Sequence, residues 1–175
     1  MVGRLLPVHK LWDLGYSVCG IDIDPAPIAE CREAFPMIDV RVASGAAIPF
    51  ATASFDVVLS FDVFEHIHDS DQHLRDVVRV LKPGGRYLLQ TPNKWTNLPF
   101  ELLRHWRKYP VGPFRSYRKI TAEHCALHNY WQLRRRLARH GGCDALDIQS
   151  GPLTSTVTHE FLRAGLAHAL VSGAF

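Results

Sequence analysis

The chain has 175 residues, 47% of them hydrophobic and 21% charged, with a net charge of +3. That length and balance suit one globular domain with a sizeable core and exclude a low-complexity or disordered chain. No apolar run approaches the ~18 residues of a membrane span, the amino terminus shows no signal-peptide pattern, and four cysteines without a Cys-x-x-Cys pair fit free thiols in a reducing, cytoplasmic setting.

Leu5, Val8, Leu11 and Trp12 recur at helical spacing and stop at Leu14-Gly15, which predicts a helix over 4–14. Tyr16 to Asp24 form a strand, over 17–22, that ends in acid. Asp24-Pro25 then opens a helix over 26–34, with Asp24 as N-cap and Pro25 at the tolerated first position. Val40 to Val42 predict a strand over 38–43, followed by a loop from Ser44 to Phe50. Phe55 to Ser60 is a β-rich apolar run, expected as a strand over 56–60 buried on both faces.

The next loop, Asp62-Val63-Phe64-Glu65-His66, carries two carboxylates and an imidazole within five residues. Leu74, Val77, Val78 and Leu81 lie at i, i+3, i+4 and i+7, which predicts a helix over 70–81. Lys82-Pro83-Gly84-Gly85 stops it. Tyr87 to Thr91 is the next strand, over 86–91. Strand, helix and strand in this order imply a parallel, right-handed crossover.

Beyond Asn93 the pattern loosens. Residues 94–128 read as an insertion in which Trp95, Trp106, Tyr109, Phe114 and Tyr117 interleave with basic residues. Asn129 is placed to cap a helix over 130–139, which Gly141-Gly142 ends. A strand over 144–149 and a helix over 159–171 complete the expected elements. Between Glu101 and His140 there are ten Lys/Arg against two acids, a basic face on an otherwise slightly acidic chain.

Phe55-Asp56-Val57-Val58, the short loop ending Glu65-His66, and Arg79-Val80-Leu81-Lys82-Pro83-Gly84-Gly85 together resemble class I S-adenosylmethionine (SAM)-dependent methyltransferases. The likeness runs from about Gly3 to about Ser150. It implies an α/β, Rossmann-like open sheet, mostly parallel, with flanking helices. It also divides the chain into a methyltransferase domain over 1–150, containing a substrate lid over 94–128, and a tail over 151–175 with one helix. In the family pattern a central strand and a Gly-x-Gly-x-Gly loop precede the first helix. Gly3 matches the last glycine of that loop, so the resemblance has the chain beginning inside it.

The same likeness assigns a cofactor site. Gly20-Ile21-Asp22 stands where the family has Gly-Val-Asp, so Asp22 is expected to accept hydrogen bonds from the ribose hydroxyls, with Ile23 and Gly3 also at the cofactor. Ser44 stands where relatives carry an acid for the adenine amino group, and a hydroxyl accepts more weakly. Gly45 is expected to supply backbone groups there. Phe61 lines the methionine side of the cleft or belongs to the core. Glu65-His66 is structural or, with Asp62 and His128, forms a Mg²⁺ or Mn²⁺ site; the string resembles that of quinone-biosynthesis O-methyltransferases and that of small-RNA terminal 2′-O-methyltransferases, which add a later histidine. His66 and His128 are the candidate general bases, and Trp95, Phe114 and Tyr117 the candidate substrate residues.

Three functions remain open on these residues. The first is methyl transfer from SAM to an oxygen or nitrogen of a small molecule. The second is RNA methylation by the basic segment 101–140. The third is a binding module that has lost the cofactor loop.

Overall fold

The computed structural model of the chain describes residues 11–61, 63–91, 128–140 and 168–173. Strand β1 (Ser17–Asp22) leads into helix α1 (Pro25–Ala34) and strand β2 (Asp39–Val42). Strand β3 (Phe55–Phe61) is followed by a single 3₁₀ turn, Phe64–His66, then helix α2 (Ser70–Val80) and strand β4 (Leu81–Gln90). Helix α3 (Tyr130–Arg139) and strand β5 (His168–Gly173) complete the described elements. The five strands form one sheet in the order β2-β1-β5-β3-β4, every neighbouring pair parallel. Helices α1 and α2 are the crossovers of two βαβ units.

Local chemistry explains the elements. Asp24 caps α1 by accepting from the Ala26 amide at 2.9 Å, and Pro25 costs nothing where the helix has no amide to spare. Asp69 caps α2 by accepting from the Gln72 amide at 2.9 Å. At α3, Asn129 and Gln132 form a reciprocal capping box, with bonds of 2.9 and 3.1 Å. β3 is buried over nearly its whole length, as a strand covered on both faces must be.

Two apolar clusters sandwich the sheet. One gathers Leu11, Val18, Ile28, Cys31, Ile38, Val40, Val57 and Leu59, with Phe61 half-buried against it. The other gathers Ile21, Ile48, Phe55, Val58, Val77 and Val80. The alternation of β3 residues between them is the strand's period of two.

Lys82-Pro83-Gly84-Gly85 is built as an irregularity in β4 rather than as a turn ahead of it. The register steps from Phe55↔Leu81 to Val57↔Arg86, so the β4 strand begins at Leu81, five residues before the expected start. Gly84 has φ +79°, and a Cβ on Gly85 would lie 2.9 Å from the Lys82 carbonyl oxygen. Both positions therefore need glycine. The Lys82 ammonium reaches both Asp56 carboxylate oxygens, at 3.1 and 3.0 Å, and ties the bulge to β3.

The tail requires a correction. Residues 168–171, expected as the end of a helix over 159–171, belong to β5, which pairs with β1 on one side and β3 on the other. Its register runs Ser17↔His168 to Ile21↔Ser172 and Val57↔Ala169 to Phe61↔Gly173. A short run such as Ala169-Leu170-Val171 has no period long enough to separate helix from strand. Here the slot between two strands, each with backbone groups to pair, decides the outcome. The centre of the sheet, assigned by resemblance to a strand preceding Gly3, is held by this carboxyl-terminal segment. The expected strand over 144–149, and residues 4–10 and 159–167 of the expected helices, lie outside the described residues.

Candidate functional site

Because all five strands are parallel, their carboxyl ends lie along one edge of the sheet, the edge at which open α/β sheets place ligands. That edge brings together the ends of β1 (Asp22), β2 (Val42, running into Ser44 and Gly45), β3 (Phe61) and β4 (Gln90, then Thr91). The Ala43 amide donates to the Asp22 carbonyl at 2.8 Å, which continues the β1–β2 ladder to the edge.

Asp22 is buried, with 3% of its surface exposed. Its Oδ1 accepts from the Asp24 amide at 2.7 Å, which fixes the carboxylate against the turn into α1. A buried carboxylate costs free energy unless hydrogen bonds compensate it. Ile23, next to it, is 74% exposed, an apolar side chain left at the rim. Ser60 Oγ, one residue short of the end of β3, is buried and has no hydrogen-bond partner among the described residues.

The loop after β2 is closed by its own turn. The Ala47 amide donates to the Ser44 carbonyl at 2.9 Å and the Ala46 amide to Ser44 Oγ at 3.2 Å. Ser44 thus spends part of its accepting capacity on the loop itself. A Cβ on Gly45 would fall 2.8 Å from Ile67 Cδ1 and 3.3 Å from His73 Nδ1, so any larger residue there would press on Ile67 and on the His73 ring.

Nothing in the sequence singles out His73, and it is fully buried. Its Nδ1 lies 2.7 Å from the Gly45 carbonyl oxygen and its Nε2 lies 2.9 Å from the Tyr87 hydroxyl. A carbonyl only accepts, so Nδ1 carries the proton and the Tyr87 hydroxyl donates to Nε2. Burial holds the His73 pKa below its usual value, against the raising effects of the Gly45 bond and Asp76, so the ring is neutral near pH 7.

The 3₁₀ turn orients the Glu65-His66 pair in opposite directions. Glu65 is buried and accepts from Thr91 Oγ1 at 3.0 Å; His66 is exposed. Phe64 is buried, with the His73 ring 5.8 Å and the His128 ring 5.5 Å from its centroid. His128 is therefore beside the turn after β3, and α3 follows it. At its far end α3 is anchored on α2: Arg136 donates to Ser70 Oγ, and His140 Nε2 lies 2.9 Å from Asp71 Oδ1. That bond holds the Asp71 carboxyl below the usual range. Arg136, expected on a solvated basic face, is in fact engaged in this contact. Arg134, Arg135 and Arg139 are exposed.

Asp22, Ile23, Ser44, Gly45, Phe61, Glu65, His66 and His128 all lie on or beside the carboxyl edge. Among the described residues no three His, Cys, Asp or Glu side chains converge as a metal ion requires. Gly3, Asp62, Trp95, Phe114 and Tyr117 lie outside the described residues. No helix among the described residues is long and apolar enough to cross a membrane.

A parallel sheet with crossover helices and polar residues at this edge is a Rossmann-like fold. Residues 2–89 match the methyltransferase domain family, and the chain belongs to that family of SAM-dependent methyltransferases. It is 38% identical over 111 residues to a Mycolicibacterium smegmatis protein named as a probable SAM-dependent methyltransferase, a match covering 63% of this chain and 41% of that protein. It is 40% identical over 108 residues to the human mitochondrial ubiquinone biosynthesis O-methyltransferase, covering 57% of this chain and 29% of that one. The chain thus spans less than half the length of these relatives. The fold also aligns with a chain from the complex of the Haloferax volcanii Trm112 methyltransferase activator with its methyltransferase, at 18% identity and a TM-score of 0.60, over 81% of this chain and 62% of that one.

The residues at the edge fit SAM. A buried carboxylate at the end of β1 suits a pair of ribose hydroxyls. The neighbouring exposed Ile23 and the Ser44–Gly45 turn offer an apolar surface and short polar groups to a flat heterocycle.

Proposed function

We propose that this chain binds SAM along the carboxyl edge of its sheet and transfers the methyl group to an oxygen or nitrogen of a small molecule. The observation that carries the reading is Asp22, a buried carboxylate held by the Asp24 amide at the end of β1 and bonded through its own carbonyl to the strand that leads into Ser44 and Gly45. Asp22 would accept from the ribose hydroxyls. Ile23 would cover one face of the adenine, and the Ser44–Gly45 turn would meet its edge.

SAM supplies an activated methyl on a sulfonium. The chain's contribution is to hold the acceptor in line at ~3 Å, since orientation rather than covalent help speeds such a displacement. Phe61, half-buried at the end of β3, would flank the methionine end. His66, exposed on the 3₁₀ turn, and His128, beside that turn, would be the candidates to receive an acceptor's proton. Glu65, turned inward to Thr91, would order the loop rather than ligate a metal. The small-molecule acceptor is supported by the relative named as a ubiquinone biosynthesis O-methyltransferase. Trp95, Phe114 and Tyr117 are proposed to cover that acceptor.

Equilibrium titration with S-adenosylhomocysteine (SAH) tests the reading. Saturable binding is expected, weakened by about 1–3 kcal/mol in Asp22→Ala, the range for losing hydrogen bonds to a charged group. Unchanged affinity in that variant would remove the ribose role.

A further inference from the structure

One face of α2 holds the loop after β2 by its backbone. His73, Asp76 and Arg79 are spaced i, i+3 and i+6, so they form one stripe along the helix. His73 Nδ1 donates to the Gly45 carbonyl at 2.7 Å. Asp76 Oδ2 accepts from the Ile48 amide at 2.7 Å. The Arg79 guanidinium donates to the Ile48 carbonyl at 2.8 Å and to the Phe50 carbonyl at 2.7 Å, while its Nε donates to Asp76 Oδ1 at 3.0 Å. From the other side, Arg41 donates to the Pro49 carbonyl at 2.7 Å and lies over the Phe50 ring at 4.4 Å.

The stripe is graded. Arg79 and Asp76 hold the distal half of the loop, at Ile48 to Phe50. Within the stripe, His73 alone holds the proximal turn, at Gly45, next to the edge. His73 is itself oriented from behind, by the Tyr87 hydroxyl on β4 and by the Phe64 ring, whose centroid lies 5.8 Å from its own. It is fully buried, so it does not reach a ligand directly.

We propose that His73 is a positioning residue for the adenine end of the cofactor. By holding the Gly45 carbonyl inward against α2, it sets the direction in which the Ser44–Gly45 turn presents its remaining groups to the edge. This rests on the proposed SAM site, and deepens it. Ser44 is a weaker acceptor than a carboxylate, so recognition there depends on how well the turn is placed before the ligand arrives. The anchor acts on binding of the adenosine moiety and leaves the geometry at the methyl untouched.

The test uses the full chain, with SAH and adenosine as probes, and a readout that needs no ligand. In His73→Leu the donor is gone. SAH and adenosine should each bind about tenfold more weakly, the upper range for one neutral hydrogen bond. Amide hydrogen exchange of residues 44–48 should quicken without ligand, while the core amides of β3, at Val57 to Leu59, stay protected. His73→Asn keeps an amide donor near the Nδ1 position. It should bind both probes within about threefold of the unsubstituted chain even though it loses the Tyr87 partner. A purely structural role would lower the melting temperature of both variants and leave the ratio of their affinities near one. If His73→Leu does not fold, Tyr87→Phe, which removes the hydroxyl that donates to Nε2, should give the same loosening at smaller size.

Faster exchange with unchanged SAH affinity would overturn the proposal, as would unchanged exchange at residues 44–48. Equal affinities in the Leu and Asn variants would overturn it too. Failure of the unsubstituted chain to bind SAH would instead defeat the SAM site itself, and the positioning role with it; loosened exchange in His73→Leu would then show a clamp with no cofactor to serve.

Discussion

The loops after β2 and β3 stand side by side on one edge and are ordered by opposite means. The first is fastened by polar side chains that bond its backbone: His73 to Gly45, Asp76 and Arg79 to Ile48 and Phe50. The second is fastened by burial, with Phe64 packed among Leu74, Leu137 and the half-buried Tyr87, Leu89 and Leu133, and Glu65 turned inward to Thr91. Hydrogen bonds have direction and fix where a turn points, whereas apolar packing fixes only that it is covered. The difference teaches that the first loop is built to hold a set of backbone groups in place. The second is held by its buried side chains, Phe64 and Glu65, which leaves His66 exposed on the 3₁₀ turn.

The comparison can be broken at its apolar side first. Phe64→Ala should cost about 3–5 kcal/mol of stability, since a large side chain with no exposed surface leaves a cavity. Chemical denaturation measures it, and a loss below about 1 kcal/mol would show that the second loop is not held by packing. On the polar side, Asp76→Ala should cost about 1–3 kcal/mol, because the Ile48 amide and Arg79 lose a partner in a mostly buried setting. At α3, Asn129→Ala should cost about 1 kcal/mol through loss of the capping box.

The pH dependence sharpens the same contrast. Burial depresses the folded pKa of His73, so the folded state resists protonation that the unfolded chain accepts. Its neutral form is fully accommodated above the unfolded value of about 6.5, and stability falls as pH drops from there through the depressed folded value. His73→Leu should flatten that limb of a melting-temperature profile. Asp71 is also depressed, by its bond from His140. Its contribution is present above about 3.9 and fades at lower pH, which separates the two groups. The smallest effect concerns salt. Under the small-molecule reading, SAH affinity should change little between low and physiological salt, whereas an RNA substrate bound through Arg134, Arg135 and Arg139 would give a steep decline in RNA affinity.

Much of the architecture was legible because its signals are local. Asp24-Pro25, the spacing of Leu74 and Val77, and Asn129 each mark an element boundary through a cap or a period, and the observed helices begin and end within a residue or two of those marks. Strand β5 was not legible, because pairing partners far back along the chain decide its state and the run itself is too short to carry a period. At the edge, Asp22 and Gly45 could be named from their resemblance to a family pattern. His73, Asp76 and Arg79 could not, although all three were in plain view. Their spacing is that of any amphipathic helix, and which of its polar residues turn toward a loop depends on where that loop lies in space. The one available signal was the glycine at 45, a residue type that permits close approach to a neighbouring element.

The central claim is that one ligand spans the ends of β1 and β2. Amide chemical-shift mapping by NMR, with SAH added to the full chain, tests it most directly. The account predicts the largest shifts at Asp22, Ile23, Ser44 and Gly45, with His73 ring signals following them. Shifts clustered on α3, or absent at both Asp22 and Gly45, would contradict it.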